Sequence, residues 1–127
     1  MRLEGLEQKL IPVIEGYIKE VYTVLQDKPH PVILCYDDHQ TKTTLNVRDS
    51  RESSVKSAYT IPINTIYFRN KPTEFAIAHE LEHWAQAQRA GPDAYIEQLQ
   101  SWKTLLEYEK SAGDVALANA HKLIGKY

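Results

Sequence analysis

The stretch Phe75–Arg89, FAIAHELEHWAQAQR, constrains this chain more than any other. Alanine, leucine, glutamate and glutamine make it a strong helix former. Phe75, Ile77, Leu81 and Trp84, with alanines between them, leave it little polar face. A helix apolar nearly all round is a buried one, so the rest of the fold must wrap it. Yet it carries His79 and His83, and buried histidines need partners.

These histidines stand four apart with Glu80 directly after the first, the pattern HExxH written here as HELEH. Positions i and i+4 of a helix differ by about 40° in direction and about 6 Å along the axis. Two imidazoles so placed can converge on one ion, and zinc takes neutral histidine nitrogen at about 2.0–2.1 Å. Glu80, about 100° round from His79, can lean over that ion without ligating it. That is the placement of a base acting on metal-activated water. The alternative is a pair of unrelated core histidines, each with an ordinary hydrogen-bond partner.

Around this helix the chain divides simply. Leu3, Leu6, Leu10, Val13/Ile14, Tyr17/Ile18, Val21 and Leu25 recur at three- and four-residue steps, predicting an amphipathic helix from about 3 to 26, with a kink or break at Pro12. VILCY (32–36), TTLNV (43–47), SAYTI (57–61) and TIYF (65–68) are rich in β-branched and aromatic residues, predicting three or four short strands in a small sheet. Pro62 suits an edge or a break between the last two. Asn70 or Thr73 caps the HELEH helix, Pro72 fits its first turn, and Ala90-Gly91-Pro92 ends it near Arg89. Helical periodicity then runs from Asp93 almost to the C-terminus. Helix, small sheet, helix, helix is an α+β order, and residues 1–127 make one domain.

Bulk properties exclude several function classes. A net charge of −2 and a pI near 6.2 give no surface for direct nucleic-acid binding. No stretch approaches the roughly 20 apolar residues of a membrane helix. The single cysteine, Cys35, forms no internal disulfide and reads as a buried core residue. With no apolar signal core at the N-terminus, the expected compartment is the cytoplasm.

A catalytic zinc site takes three protein ligands and leaves a fourth place open. The last helix sorts the candidates. Its apolar stripe runs Tyr95, Leu99, Trp102, Leu106, then Glu109, then Gly113, Ala116, Ala120 and Leu123. Glu109 therefore occupies a core-facing position, where an unpaired carboxylate is costly. Zinc is one partner for it; a buried salt bridge is the other. Ala112, Gly113, Ala116 and Ala120 let this helix approach the HELEH helix. His121 lies about 18 Å farther along a continuous helix and cannot share an ion with Glu109. The expected ligands are His79, His83 and Glu109. On the opposite side Glu82 is expected to be solvated or salt-bridged.

EFAIAHELEH also resembles the FTxAHELGH signature of the ImmA/IrrE-type metallopeptidases, small zincins of bacteria, phages and mobile elements. In that family the third ligand opens a pattern like ExEAxxFA, and EKSAGDVA, Glu109 to Ala116, is similar to it. The resemblance spans roughly residues 57 to 124. It departs at Glu82, where the family has glycine, at Ser111 for the second glutamate, and at Val115 for phenylalanine. The resemblance implies a minimal zincin-like domain that cleaves regulatory proteins, often repressors, in the cytoplasm, frequently beside a DNA-binding partner.

The expected activity is peptide hydrolysis by zinc-activated water, with Glu80 as general base. Tyr67, Tyr108 and His121 are candidates for a second oxyanion donor. IPINTIYF (61–68) is either a substrate-pairing edge or a plain structural strand. The alternative function is a non-catalytic zincin-fold binding or regulatory module of a mobile element; a structural zinc site is weaker, because two histidines and one glutamate leave a coordination place open.

Overall fold

A computed structural model describes residues 1–36, 57–60 and 64–125. Three of the expected strands form where β-branched and aromatic residues cluster: β2 (Val32–Tyr36), β3 (Ser57–Thr60) and β4 (Thr65–Arg69). In β2 burial alternates, with Ile33 and Cys35 inside, as a strand covered on one face requires. In β4 the first four residues are all buried, the mark of a strand covered on both faces. TTLNV and Pro62 lie outside the described residues.

The N-terminus differs from expectation. Leu3–Glu4 is a strand, β1, parallel to β2, and the helix α1 begins only at Leu10 and ends at Val21, followed by a 3-10 turn over Thr23–Leu25. Pro12 thus sits in the first turn of α1, where its missing N–H leaves no hydrogen bond unmade. Gly5 makes the exit from β1 possible. Its φ is +83°, and a Cβ there would lie 1.8 Å from the Cys35 carbonyl oxygen. Leu3 and Leu6 fall on a helical period, although Leu3 sits in β1 and Leu6 lies beyond it, so periodicity alone misassigned them.

The sheet is mixed, in the order β1-β2-β4-β3, with β3 antiparallel to β4 and the other neighbours parallel. β4 is therefore interior, and Thr65–Phe68 is no edge. Among the described strands, β3 borders the sheet on that side.

The HELEH helix, α2 (Glu74–Ala90), is capped by Thr73, whose hydroxyl accepts from the Ala76 N–H at 3.1 Å. Pro72 precedes the cap. Ile77, Ala78, Leu81, Trp84 and Ala85 are buried in the core with Leu10, Ile14, Ile18, Ile33, Ile66 and Phe68. Trp84 Nε1 donates to the Pro29 carbonyl at 3.0 Å, tying α2 to the loop before β2. Phe75, expected to help cover this helix, is instead exposed beside His79. Glu82 is 1% exposed, accepting from the Tyr22 hydroxyl and Arg89 Nη1, each at 2.9 Å. Its salt bridge is present; its solvation is not.

The expected last helix is two: α3 (Pro92–Gln98) and α4 (Trp102–Asn119), separated where the Ser101 hydroxyl caps the second. The restart shifts the phase. Trp102 and Leu106 are 71% and 51% exposed, and α4 packs against α2 with Glu109 facing the two histidines instead. Ala112 and Ala116 are fully buried. Gly113, expected to help the close approach, has nothing within 4 Å of where a Cβ would stand. The helix gives way to a 3-10 turn at Ala120–Lys122. The architecture is α+β.

Candidate metal centre

On α2 the His79 and His83 rings stand one turn apart with centroids 5.0 Å from each other, both leaning toward α4. Glu109 meets them there. Its Oε1 lies 2.8 Å from His83 Nε2 and its Oε2 3.6 Å from His79 Nε2. The three donor atoms all fall within 4.8 Å of one another. Ligands on one tetrahedral zinc stand about 3.4 Å apart, given bond lengths near 2.0–2.2 Å. Two imidazoles and a carboxylate at these separations can share one ion with little movement.

The expectation that Glu109 is buried does not hold, since its side chain is 53% exposed. It points at α2 across an open cleft. Solvent reaches the carboxylate, so the cost of burying a charge is not what places it there. The helix phase is.

Proton accounting around His83 tests the fit to a metal. Gln86 Nε2 donates to the Tyr108 carbonyl at 2.9 Å, which turns Gln86 Oε1 toward His83 Nδ1, also at 2.9 Å. An amide oxygen only accepts, so Nδ1 must carry the proton. A neutral ring then keeps a lone pair on Nε2, facing a carboxylate oxygen at 2.8 Å. Two acceptors face to face repel. A cation between them, or a second proton on the ring, removes the conflict. The donor set of two imidazoles and one carboxylate is one that zinc accepts with a place left open.

Glu80 stands beside this group and is 4% exposed. Its Oε1 accepts from the Ser57 hydroxyl of β3 at 2.9 Å. Its Oε2 is buried and has no hydrogen-bond partner among the described residues. Burial raises the Glu80 carboxyl above the usual carboxylate range. His83, the Ser57 hydroxyl and His79 pull it back, and the charge of Glu109 adds to the rise. A carboxyl whose neutral form is favoured by burial is suited to take up a proton and return it.

All four residues line one cleft of about 560 Å³ between α2, α3, α4 and β3. Tyr95, Ile96, Leu99 and Leu105 form its apolar wall, and Ser57, Ala58 and Tyr59 of β3 border it opposite. Of the candidate oxyanion donors, only Tyr108 lines it, with its hydroxyl donated to Gln98 Oε1. Tyr67 is buried in β4 and His121 is exposed beyond the end of α4. Sequence reasoning missed Ser57 and Gln86. Gln86 stands one turn after His83 and was legible as a neighbour, whereas the approach of Ser57 depends on where β3 packs. No protein-family model, curated protein or solved structure matches this chain.

Proposed function

We propose that the chain is a zinc-dependent peptidase of the zincin type, similar to the ImmA/IrrE-type metallopeptidases, acting in the reducing cytoplasm that its lone buried thiol suits. The observation that carries this reading is the meeting of His79, His83 and Glu109 at a cleft where the buried Glu80 carboxylate has one oxygen without a hydrogen-bond partner among the described residues. His79 and His83 would hold the metal from α2 and Glu109 from α4. Bound there, zinc supplies a Lewis acid that activates water and polarises a carbonyl. Glu80 Oε2 accepts the proton of the attacking water and returns it to the leaving amine. Ser57 holds the other oxygen in place. The half-open cleft admits an extended backbone beside β3, in the manner of strand addition, and its apolar wall suits a bulky apolar side chain next to the scissile bond. The substrate is a protein, and the family resemblance suggests a transcriptional regulator.

The 2.8 Å contact between His83 and Glu109 favours a second reading. Were His83 doubly protonated, the cluster would be an ion pair in a non-catalytic binding module of a mobile element. Zinc content, measured on wild type and Glu109→Ala, separates the two first. The peptidase reading expects close to one zinc per chain, sharply weakened by the substitution. Glu80→Gln should keep the metal and lose hydrolysis of labelled casein by about 10²–10⁴-fold. Unchanged function in that variant would establish the binding module instead.

A further inference from the structure

Gln86 is a buried side chain that hydrogen-bonds both to His83 on α2 and to the α4 backbone beside Glu109. It is 4% exposed and stands three residues after His83 on α2. Its Oε1 accepts from His83 Nδ1 at 2.9 Å and from the Tyr95 hydroxyl of α3 at 3.3 Å. Its Nε2 donates to the Tyr108 carbonyl at 2.9 Å, one residue before Glu109 on α4. A carbonyl offers no hydrogen, so that contact fixes which way round the amide sits. The orientation in turn dictates the tautomer of His83, with its proton on Nδ1 and the lone pair of Nε2 toward Glu109.

We propose that Gln86 is a positioning residue that presets the metal centre, holding the His83 ring in its ligating tautomer and tying that ring to the turn of α4 that presents Glu109. The inference rests on the metal reading above. Outer partners of this kind restrain ring rotation and raise ligand basicity, and their loss commonly weakens metal binding by about 10–100-fold. Here one amide joins an imidazole from α2 to the backbone carbonyl of α4 that directly precedes the Glu109 ligand. The entropy of bringing the two helices' ligands together is then met when the chain folds, not when the ion binds.

The test measures zinc affinity by competition with a chromophoric chelator, using the full chain as wild type, Gln86→Met and Gln86→Glu. Methionine nearly conserves volume but supplies neither the donor nor a comparable acceptor. Its zinc dissociation constant should rise about 10–100-fold. Glutamate restores an oxygen facing His83 Nδ1 without a donor for the Tyr108 carbonyl, and should recover part of that loss. Urea unfolding of the zinc-free variants, run in parallel, reports stability separately, and a purely structural role would lower stability while leaving zinc affinity alone. An affinity of Gln86→Met within about twofold of wild type would overturn the proposal. Should the methionine variant not fold, nitrogen-15 spectra of the zinc-loaded wild type decide: a hydrogen-bonded proton on His83 Nδ1 is expected, and metal bound through Nδ1 overturns the role. If wild type takes up no zinc, the metal reading fails together with this one. Tight wild-type binding that Gln86→Met leaves unchanged removes Gln86 alone.

Discussion

The contact between Ser57 and Glu80 is the smallest feature on which the proposed chemistry depends. A hydroxyl donated to a buried carboxylate contributes about 1.5–3 kcal/mol, because the acceptor is charged and water is scarce. Ser57→Ala should leave zinc affinity near wild type, since Ser57 contacts none of the three ligands. It should lower the rate of casein hydrolysis by roughly tenfold, and Ser57→Thr should restore most of it. A variant as fast as wild type would remove Ser57 from the mechanism. Glu109 carries a different lesson at this scale. Sequence periodicity selected it as a core-facing carboxylate, and it does face α2, but half in solvent. Its direction was legible in a stripe through Trp102, Leu106, Glu109, Gly113 and Ala116. Trp102 and Leu106 of that stripe turn outward, so the right direction was reached on a phase that the break before Ser101 shifts. Its degree of burial was not legible, because the cleft is bounded by α3 and β3, which are remote in sequence or separated by a break.

Among the elements, the junction of α2 and α4 sets the distance across the centre. Ala112 and Ala116 are fully buried there, so the helices approach closely. Ala116→Leu should overpack the contact, destabilise the fold by about 1–3 kcal/mol in urea unfolding and weaken zinc binding by moving Glu109 away. Gly113→Ala, on the same helix but facing open space, should stabilise it by about 0.5–1 kcal/mol. Equal effects from the two substitutions would contradict the packing described. On the far side of α2, Glu82 links the helix to Tyr22 and Arg89. Arg89 also lies over the Tyr22 ring, 5.7 Å from its centroid. Glu82→Ala leaves a buried hydroxyl without its acceptor and opens a small void, for an expected loss of about 2–4 kcal/mol. A loss below about 0.5 kcal/mol would show that water replaces the carboxylate freely. A family pattern with glycine at this position does not anticipate such a tie. Nothing in the local periodicity does either, because Tyr22 is 60 residues away.

At the scale of the molecule, the centre joins α2, α4 and β3 around a single cleft, and its assembly should report on folding as a whole. A ligand that binds only the folded state stabilises it by about 2.7 kcal/mol at a hundred times its dissociation constant. Zinc at that excess should therefore raise the melting temperature by roughly 5–10 °C for a chain of this length. Glu109→Ala should abolish most of the shift while changing the zinc-free melting point little, since its side chain is half exposed. An identical zinc shift in that variant would place the binding elsewhere. Among the described residues no helix is long and apolar enough to cross a membrane.

Two classes of fact separate here. HELEH, its helical setting and its terminating glycine are local, and local spacing determined them: an i, i+4 pair shares a face in any α-helix, whereas the choice of Thr73 over Asn70 as the cap came from the structure. The strands expected at 32–36, 57–61 and 65–68 were equally legible from their β-branched and aromatic runs, and form at Val32–Tyr36, Ser57–Thr60 and Thr65–Arg69. Only the tertiary structure decided that Leu3–Glu4 joins a sheet, that β4 is interior, and that the last helical run breaks at Ser101 and turns Trp102 outward. It alone brought Ser57 to Glu80, and the carbonyl before Glu109 to Gln86. The reason is one of range. Periodicity records which side of an element is apolar, whereas the pairing of polar atoms across elements is settled by packing, to tolerances that no spacing rule carries.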